Sequence, residues 1–172
     1  MDGRSGSSDA RSSHGIIPRM ERRLALFLPV AAAMAALPVG YTHWTAHQIQ
    51  DRDQTLPAKM SRVKVATAPL GGWGNHSMSL VHREGSGEAE LHETQSDILI
   101  IRDGEGSIVV GGTIPDSRRT TAHEIRGSKI SGGSEQPLRG GDVVHISPKT
   151  PHQILLEPGH KIDYFAVKVD AR

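Results

Sequence analysis

From Arg62 to the C-terminus, short runs of apolar and β-branched residues alternate with glycine-rich or polar breaks. The runs are VKVATAP, HSMSLVHRE, EAELHE, DILIIRDG, GSIVVGG, SKISGG, DVVHIS, HQILLEP and DYFAVKV. Such runs, bounded by turn residues, read as strands, and eight or nine in succession predict an antiparallel sandwich or barrel. Gly104-Glu105-Gly106 reads as a hairpin turn between two of them; no helix follows, so it is not a dinucleotide fingerprint. The longest break, TIPDSRRTTAHEIRG, exceeds a tight hairpin and is expected to form a flap at a barrel mouth. Ahead of the strands, THWTAHQIQDRDQTLPAKM predicts a short helix, with Thr45 as its N-cap and Ile49 and Leu56 resting on the domain.

Residues 1–19 are rich in Ser, Gly and Arg without apolar periodicity, which reads as a disordered segment or as a start codon placed too early. Met20 then opens MERRLALFLPVAAAMAALPVG. Its basic Arg22-Arg23 flank, uncharged stretch from Leu24 to Val39 and small residues Ala33 and Ala35 are the layout of an export signal. The alternative is an uncleaved membrane anchor, for which the apolar stretch is slightly short and contains Pro29 and Pro38. The expected organisation is therefore an extension over 1–19, a signal or anchor over 20–40, a helical lead-in over 41–61 and a β-barrel over 62–172. The expected location is the periplasm or the medium, with membrane contact only through an uncleaved N-terminal segment.

Composition narrows the function. Twenty Lys and Arg face nineteen Asp and Glu among 172 residues, and no basic stripe with interleaved aromatics offers nucleic acid a handle. The absence of cysteine removes disulfides, thiolate ligands and a cysteine nucleophile. No nucleophile elbow or triad order supports hydrolase chemistry.

Candidate chemistry is confined to two stretches. In AELHETQSDILIIRDG, Glu90 and His92 stand two apart and so share a strand face, with Asp97 beginning the next strand. In GGDVVHISPKTPHQILLEPG, a tight connection leads into His152. If the two stretches face each other, Glu90, His92, Asp97 and His152 supply two imidazoles and two carboxylates, a set suited to Fe, Mn, Zn or Ni as divalent ions. The competing reading is a hydrogen-bonded pair of barrel histidines without metal, a solvent-facing Glu90 and an Asp97 that merely caps a turn. Glu93 should point away and be solvated. His145 is out of phase with Val144 and Ile146; His76 and His82 lack partner spacing, and His123 reads as surface. Trp73, in a loop, is placed to line a mouth or plug a barrel end.

These two stretches, in this order, resemble the paired motifs of the cupin superfamily. His92 takes the place of the second histidine of the first motif, Asp97 its glutamate and Gly104 its closing glycine; Gly141 opens the second motif and His152 stands at its ligand histidine. The chain departs from the pattern at Glu90, which replaces the first histidine, at Asp97, one methylene shorter than glutamate, and at Ser147, Lys149 and Leu156. The resemblance covers most of 76–169 and implies an all-β fold: a single antiparallel jelly-roll barrel, here with a short N-terminal helix. It also implies a divalent metal held by Glu90, His92, Asp97 and His152, a small-molecule ligand or substrate, and a homodimer. Dioxygenases, isomerases, epimerases and decarboxylases share that fold, as do binding modules without turnover, so the two functional expectations are a metal-dependent enzyme and a metal-free ligand-binding barrel.

Overall fold

The computed structural model describes residues 40–171. The extension and the signal or anchor expected over 1–40 lie, but for Gly40, outside the described residues. All elements below belong to the unit His43–Arg172.

Ten strands run antiparallel in two facing layers. The first layer contains β1 (Val65–Gly72), β2 (His76–Arg83), β10 (Ile162–Asp170), the first half of β4 (Gln95–Val110) and β8 (Val143–Ile146). The second contains β7 (Ser134–Arg139), the second half of β4, β9 (His152–Leu155), β3 (Ala89–His92), β6 (Glu124–Gly127) and β5 (Arg118–Thr121). The expected all-β antiparallel barrel is thus present, with one α-helix on its outside.

Strict alternation assigns the two faces of each strand. On β2 the odd positions Ser77, Ser79, Val81 and Arg83 face the interior, while Met78 and Leu80 face out. On β10 the interior positions are Ile162, Tyr164, Ala166 and Lys168. Between the layers, Val81, Leu99, Ile101, Ile108, Leu138, Ile146, Ile154, Ile162 and Tyr164 form the main core. Helix α1 (Ala46–Thr55) covers the outer face of the first layer, where Ile49 and Leu56 pack with Ala66, Leu70 and Leu80. Its start is the expected one: the Thr45 hydroxyl accepts from the Gln48 amide at 3.2 Å and the Gln48 side chain accepts from the Thr45 amide at 2.9 Å, a reciprocal capping box. An ion pair of Asp53 with Arg102, at 2.5 Å, fastens the helix to β4.

Three expectations are corrected. Gly104-Glu105-Gly106 is not a hairpin: β4 continues through it for 16 residues and passes from one layer to the other. Gly104 makes the bend, with φ +83° and a backbone so close to Lys161 that an added Cβ would lie 2.1 Å from its carbonyl oxygen. SKISGG contributes only an isolated bridge between Thr113 and Ser131, whereas the polar SEQPLR forms β7. Its polarity and Pro137 hid it; both are tolerated because β7 lies at the layer's edge. The long insertion is not a loose flap but the β5–β6 hairpin, which extends the second layer beside β3.

The bend makes a comparison of two glycines decisive. Gly111 has φ +81° but open space around a hypothetical Cβ. Urea denaturation should show Gly111→Ala costing about the 1–2 kcal/mol of a left-handed L-residue and Gly104→Ala costing clearly more.

Candidate metal centre

Register brings the chemistry-bearing residues together at one end of the barrel. Across the β3–β9 pair Glu90 faces His152, and across β3–β6 it faces Arg126. Across β4–β10 Asp97 faces Lys168. His92 follows Glu90 by two residues and projects the same way. The second layer therefore supplies Glu90, His92, His152 and Arg126, and the first supplies Asp97 and Lys168.

Glu90, His92 and His152 offer three ligand atoms that all lie within 4.8 Å of one another. Asp97 falls outside that trio but touches both imidazoles, its Oδ2 lying 3.3 Å from His92 Nε2 and 3.4 Å from His152 Nε2. The two rings are 5.4 Å apart and tilted by 50°. His152 Nδ1 lies 3.1 Å from the Thr150 carbonyl oxygen. A carbonyl can only accept, so Nδ1 carries a proton and Nε2 is the nitrogen turned towards the cluster, the orientation a metal-ligating histidine needs. The donor set, two imidazoles and a carboxylate, fits a divalent transition ion.

The cluster already contains a cation. Lys168 Nζ lies 2.8 Å from His92 Nε2 and 2.9 and 3.1 Å from the two Asp97 oxygens. Arg126 engages Glu90 at 2.8 Å and Glu124 at 2.5 Å, so the carboxylate that replaces the motif's first histidine is held from the β6 side. Sequence reasoning missed both residues. Lys168 was accessible in principle, because Lys168, Ala166 and Tyr164 alternate along DYFAVKV. Arg126 gave no signal, since its role depends on β6 pairing with β3.

Burial and partners oppose one another at each group. Burial alone would raise the Asp97 carboxyl; hydrogen bonds from His152 and His92 and the charge of Lys168 outweigh it and hold the group far below the usual range. Burial likewise opposes ionisation of Glu90, but His92 and Arg126 bring its pKa down to about 2. For His92, burial acts downward and the bonds to Asp97 and Glu90 act upward, giving about 9. The short contact between His92 Nε2 and Lys168 Nζ admits one proton between the two nitrogens. Either proton arrangement places a single positive charge where a bound cation would sit.

The remaining candidates are not part of the cluster, although His123 lines a surface hollow with His92 and Lys168, and Trp73 and His76 line another with Lys168. His82 is buried on the outer face of β2, 2.6 Å from Asp163 and 3.1 Å from Glu84. His76 is exposed and stacks on Trp73 at 5.3 Å. His145 is exposed, as its phase predicts. His123 is exposed near Glu93, which pairs with Arg119 outside the cavity.

Beside the cluster, the barrel contains a cavity of about 250 Å³. Glu90, Asp97, His152 and Lys168 line one part of it, and Val81, Leu99 and Ile154 give it apolar walls. Arg83 and Tyr164 line it further along.

No family model matches the chain, and no curated protein matches it. Solved structures do resemble it. A cupin 2 conserved barrel domain protein from Rhodopseudomonas palustris is 22% identical, with 63% of this chain and 62% of that one covered at a TM-score of 0.44. A protein with a double-stranded beta-helix domain from Klebsiella pneumoniae is 13% identical, covering 65% and 82% at 0.48. A predicted oxalate decarboxylase from Thermotoga maritima is 18% identical, covering 62% and 80% at 0.46. The likeness extends to fold alone; the barrel described above rests on this chain's own strand order and register.

The two sets of shifts bracket a stability maximum. Glu90, lowered in the fold, contributes stability that is full above its ordinary pKa of 4.5 and lost as pH falls towards about 2. His92, raised in the fold, contributes stability that is full below its ordinary 6.5 and lost as pH rises through about 9. Thermal melts of metal-free protein should therefore peak between pH 4.5 and 6.5. Glu90→Gln should flatten the acid limb and His92→Gln the alkaline one.

Proposed function

We propose that this chain is a small-molecule-binding barrel in which Glu90, His92 and His152 hold a divalent ion, with Asp97 beside them, and in which a small organic molecule occupies the adjoining cavity. The observation that carries this reading is the convergence of two buried imidazoles and a carboxylate beside a cavity whose wall includes Glu90 and His152. Fe, Mn, Zn and Ni as divalent ions all suit the donors. Such an ion supplies Lewis acidity towards a substrate oxygen when bound.

The chain's own residues set the conditions for that chemistry. The Thr150 carbonyl fixes the His152 tautomer, Arg126 restrains Glu90, and the apolar walls limit water near the cluster. Lys168 must leave His92 before that nitrogen can bind an ion. Its side chain retains about a third of its exposure, which gives it a route outward. Once displaced, its ammonium remains near the cavity as a hydrogen-bond donor to an occupant.

A second reading is favoured by one observation, the contact of Lys168 with His92 and Asp97. In that reading Lys168 replaces the metal permanently and the barrel binds its ligand without turnover. Elemental analysis of untagged protein separates the two. The metal reading predicts near-stoichiometric metal, lost in His92→Ala and His152→Ala. It also predicts at least tenfold tighter Mn(II) binding in Lys168→Met, because a competing charge a few ångströms away is removed. Wild-type protein that stays metal-free under every loading condition, with binding rescued only in Lys168→Met, supports the metal-free module.

Export is part of the proposal and rests on the basic flank and uncharged stretch after Met20. Among the described residues no helix is long and apolar enough to cross a membrane. Mass spectrometry of the exported protein should find an N-terminus shortly after Ala35; a start at Met20 or earlier would refute cleavage.

A further inference from the structure

Arg83 is not used by the metal cluster, yet it is more deeply buried than any other arginine among the described residues. Its residue retains 9% exposure. Its Nε is buried with no hydrogen-bond partner. Apart from the neighbouring Tyr164 hydroxyl, its polar partner is the Gly85 carbonyl, a long 3.5 Å contact from Nη1. Among the described residues no carboxylate forms an ion pair with it, whereas the other two cations of the cavity are paired: Arg126 with Glu90 and Lys168 with Asp97. A guanidinium cannot shed its proton to escape burial, and an uncompensated buried charge is costly unless something else neutralises it.

The surroundings leave room for that partner. Arg83 ends the inward row Ser77, Ser79, Val81, Arg83 and lines the cavity. Gly87 lies against it, and a Cβ at that position would come within 2.7 Å of Nη1, so the glycine keeps the guanidinium's place open. Arg83 also lies beside the Tyr164 hydroxyl on β10. Tyr164 and Lys168 are four residues apart on that strand, about 13 Å at the usual strand rise. Between them stand Ala166 and the apolar wall. The cavity thus has Arg83 at one end, with Glu88 also in its lining, apolar side chains along its length and the candidate metal cluster at the other end.

We propose that the cavity's ligand is a small organic monocarboxylate, with its carboxylate seated on Arg83 and its other end directed to the Glu90–His92–His152 cluster. The planar fork of one guanidinium matches one carboxylate in a bidentate pair, and one unpaired positive charge balances one negative charge, which disfavours a phosphate dianion. The inference rests on the reading of the cavity as a ligand site, and does not require the metal.

The test is a binding titration of the full chain with acetate, butyrate, hexanoate and benzoate, each against its primary amide, followed at the arginine Nε–H resonances and by calorimetry. At least one carboxylate should shift the Arg83 Nε–H signal saturably and bind tenfold or more tightly than its amide. Arg83→Gln should reduce that affinity at least tenfold while leaving metal content unchanged. Arg83→Met should melt no lower than the wild type without ligand, since it removes an uncompensated charge. Equal binding of acid and amide, undiminished binding in Arg83→Gln, or no binding by any carboxylate of the panel would each overturn the proposal. A marked fall in melting temperature in Arg83→Met would do so too, by showing that Arg83 is structural; should Arg83→Gln fail to fold, the acid–amide comparison in the wild type decides. Metal content in the same samples keeps the readings apart: full metal with no carboxylate binding sinks this inference alone.

Discussion

The site is organised around one position for positive charge. Asp97, buried between the layers, accepts both bonds it can from Lys168 and faces both imidazoles. A buried carboxylate of this kind demands a cation, and the barrel supplies one from its own β10. The same position is the one where two Nε2 atoms and Glu90 converge. In the proposed metal-binding reading, metal affinity, histidine protonation and the resting place of Lys168 form one coupled equilibrium, and a change in any one of them shifts the other two.

That arrangement depends on a bend in a single strand. By crossing from one layer to the other at Gly104, β4 pairs with β10 on its first half and with β9 on its second. The first pairing sets Asp97 opposite Lys168. The second sets β9 beside β3, where His152 meets Glu90. The positive φ of Gly104 and its contact with Lys161 are thus the local backbone cause of a site assembled from four strands.

Much of this was readable in the chain because it is written in local pattern. Alternation marked most of the strands and put Glu90 and His92 on one face, and Thr45 with Gln48 marked the helix start. The spacing from Asp97 to Gly104 was visible too, but its meaning was not: the same glycines suit a hairpin or a bend, and only the long-range pairing of β4 decides between them. Lys168, Arg126 and Arg83 escaped for the same reason. Each looks like an ordinary strand or loop cation until register places it against Asp97, against Glu90 or, for Arg83, in the cavity without a paired carboxylate. Polar β7 escaped because an edge strand needs neither apolar alternation nor freedom from proline.

The account is tested most directly by following the side-chain nitrogens during titration with Zn(II), a diamagnetic ion. It predicts that the Nε2 signals of His92 and His152 move together to metal-bound shifts while Lys168 Nζ loses its contact with His92 and exchanges freely with solvent. Zn(II) bound in a stoichiometric complex with the Lys168–His92 contact intact would contradict it.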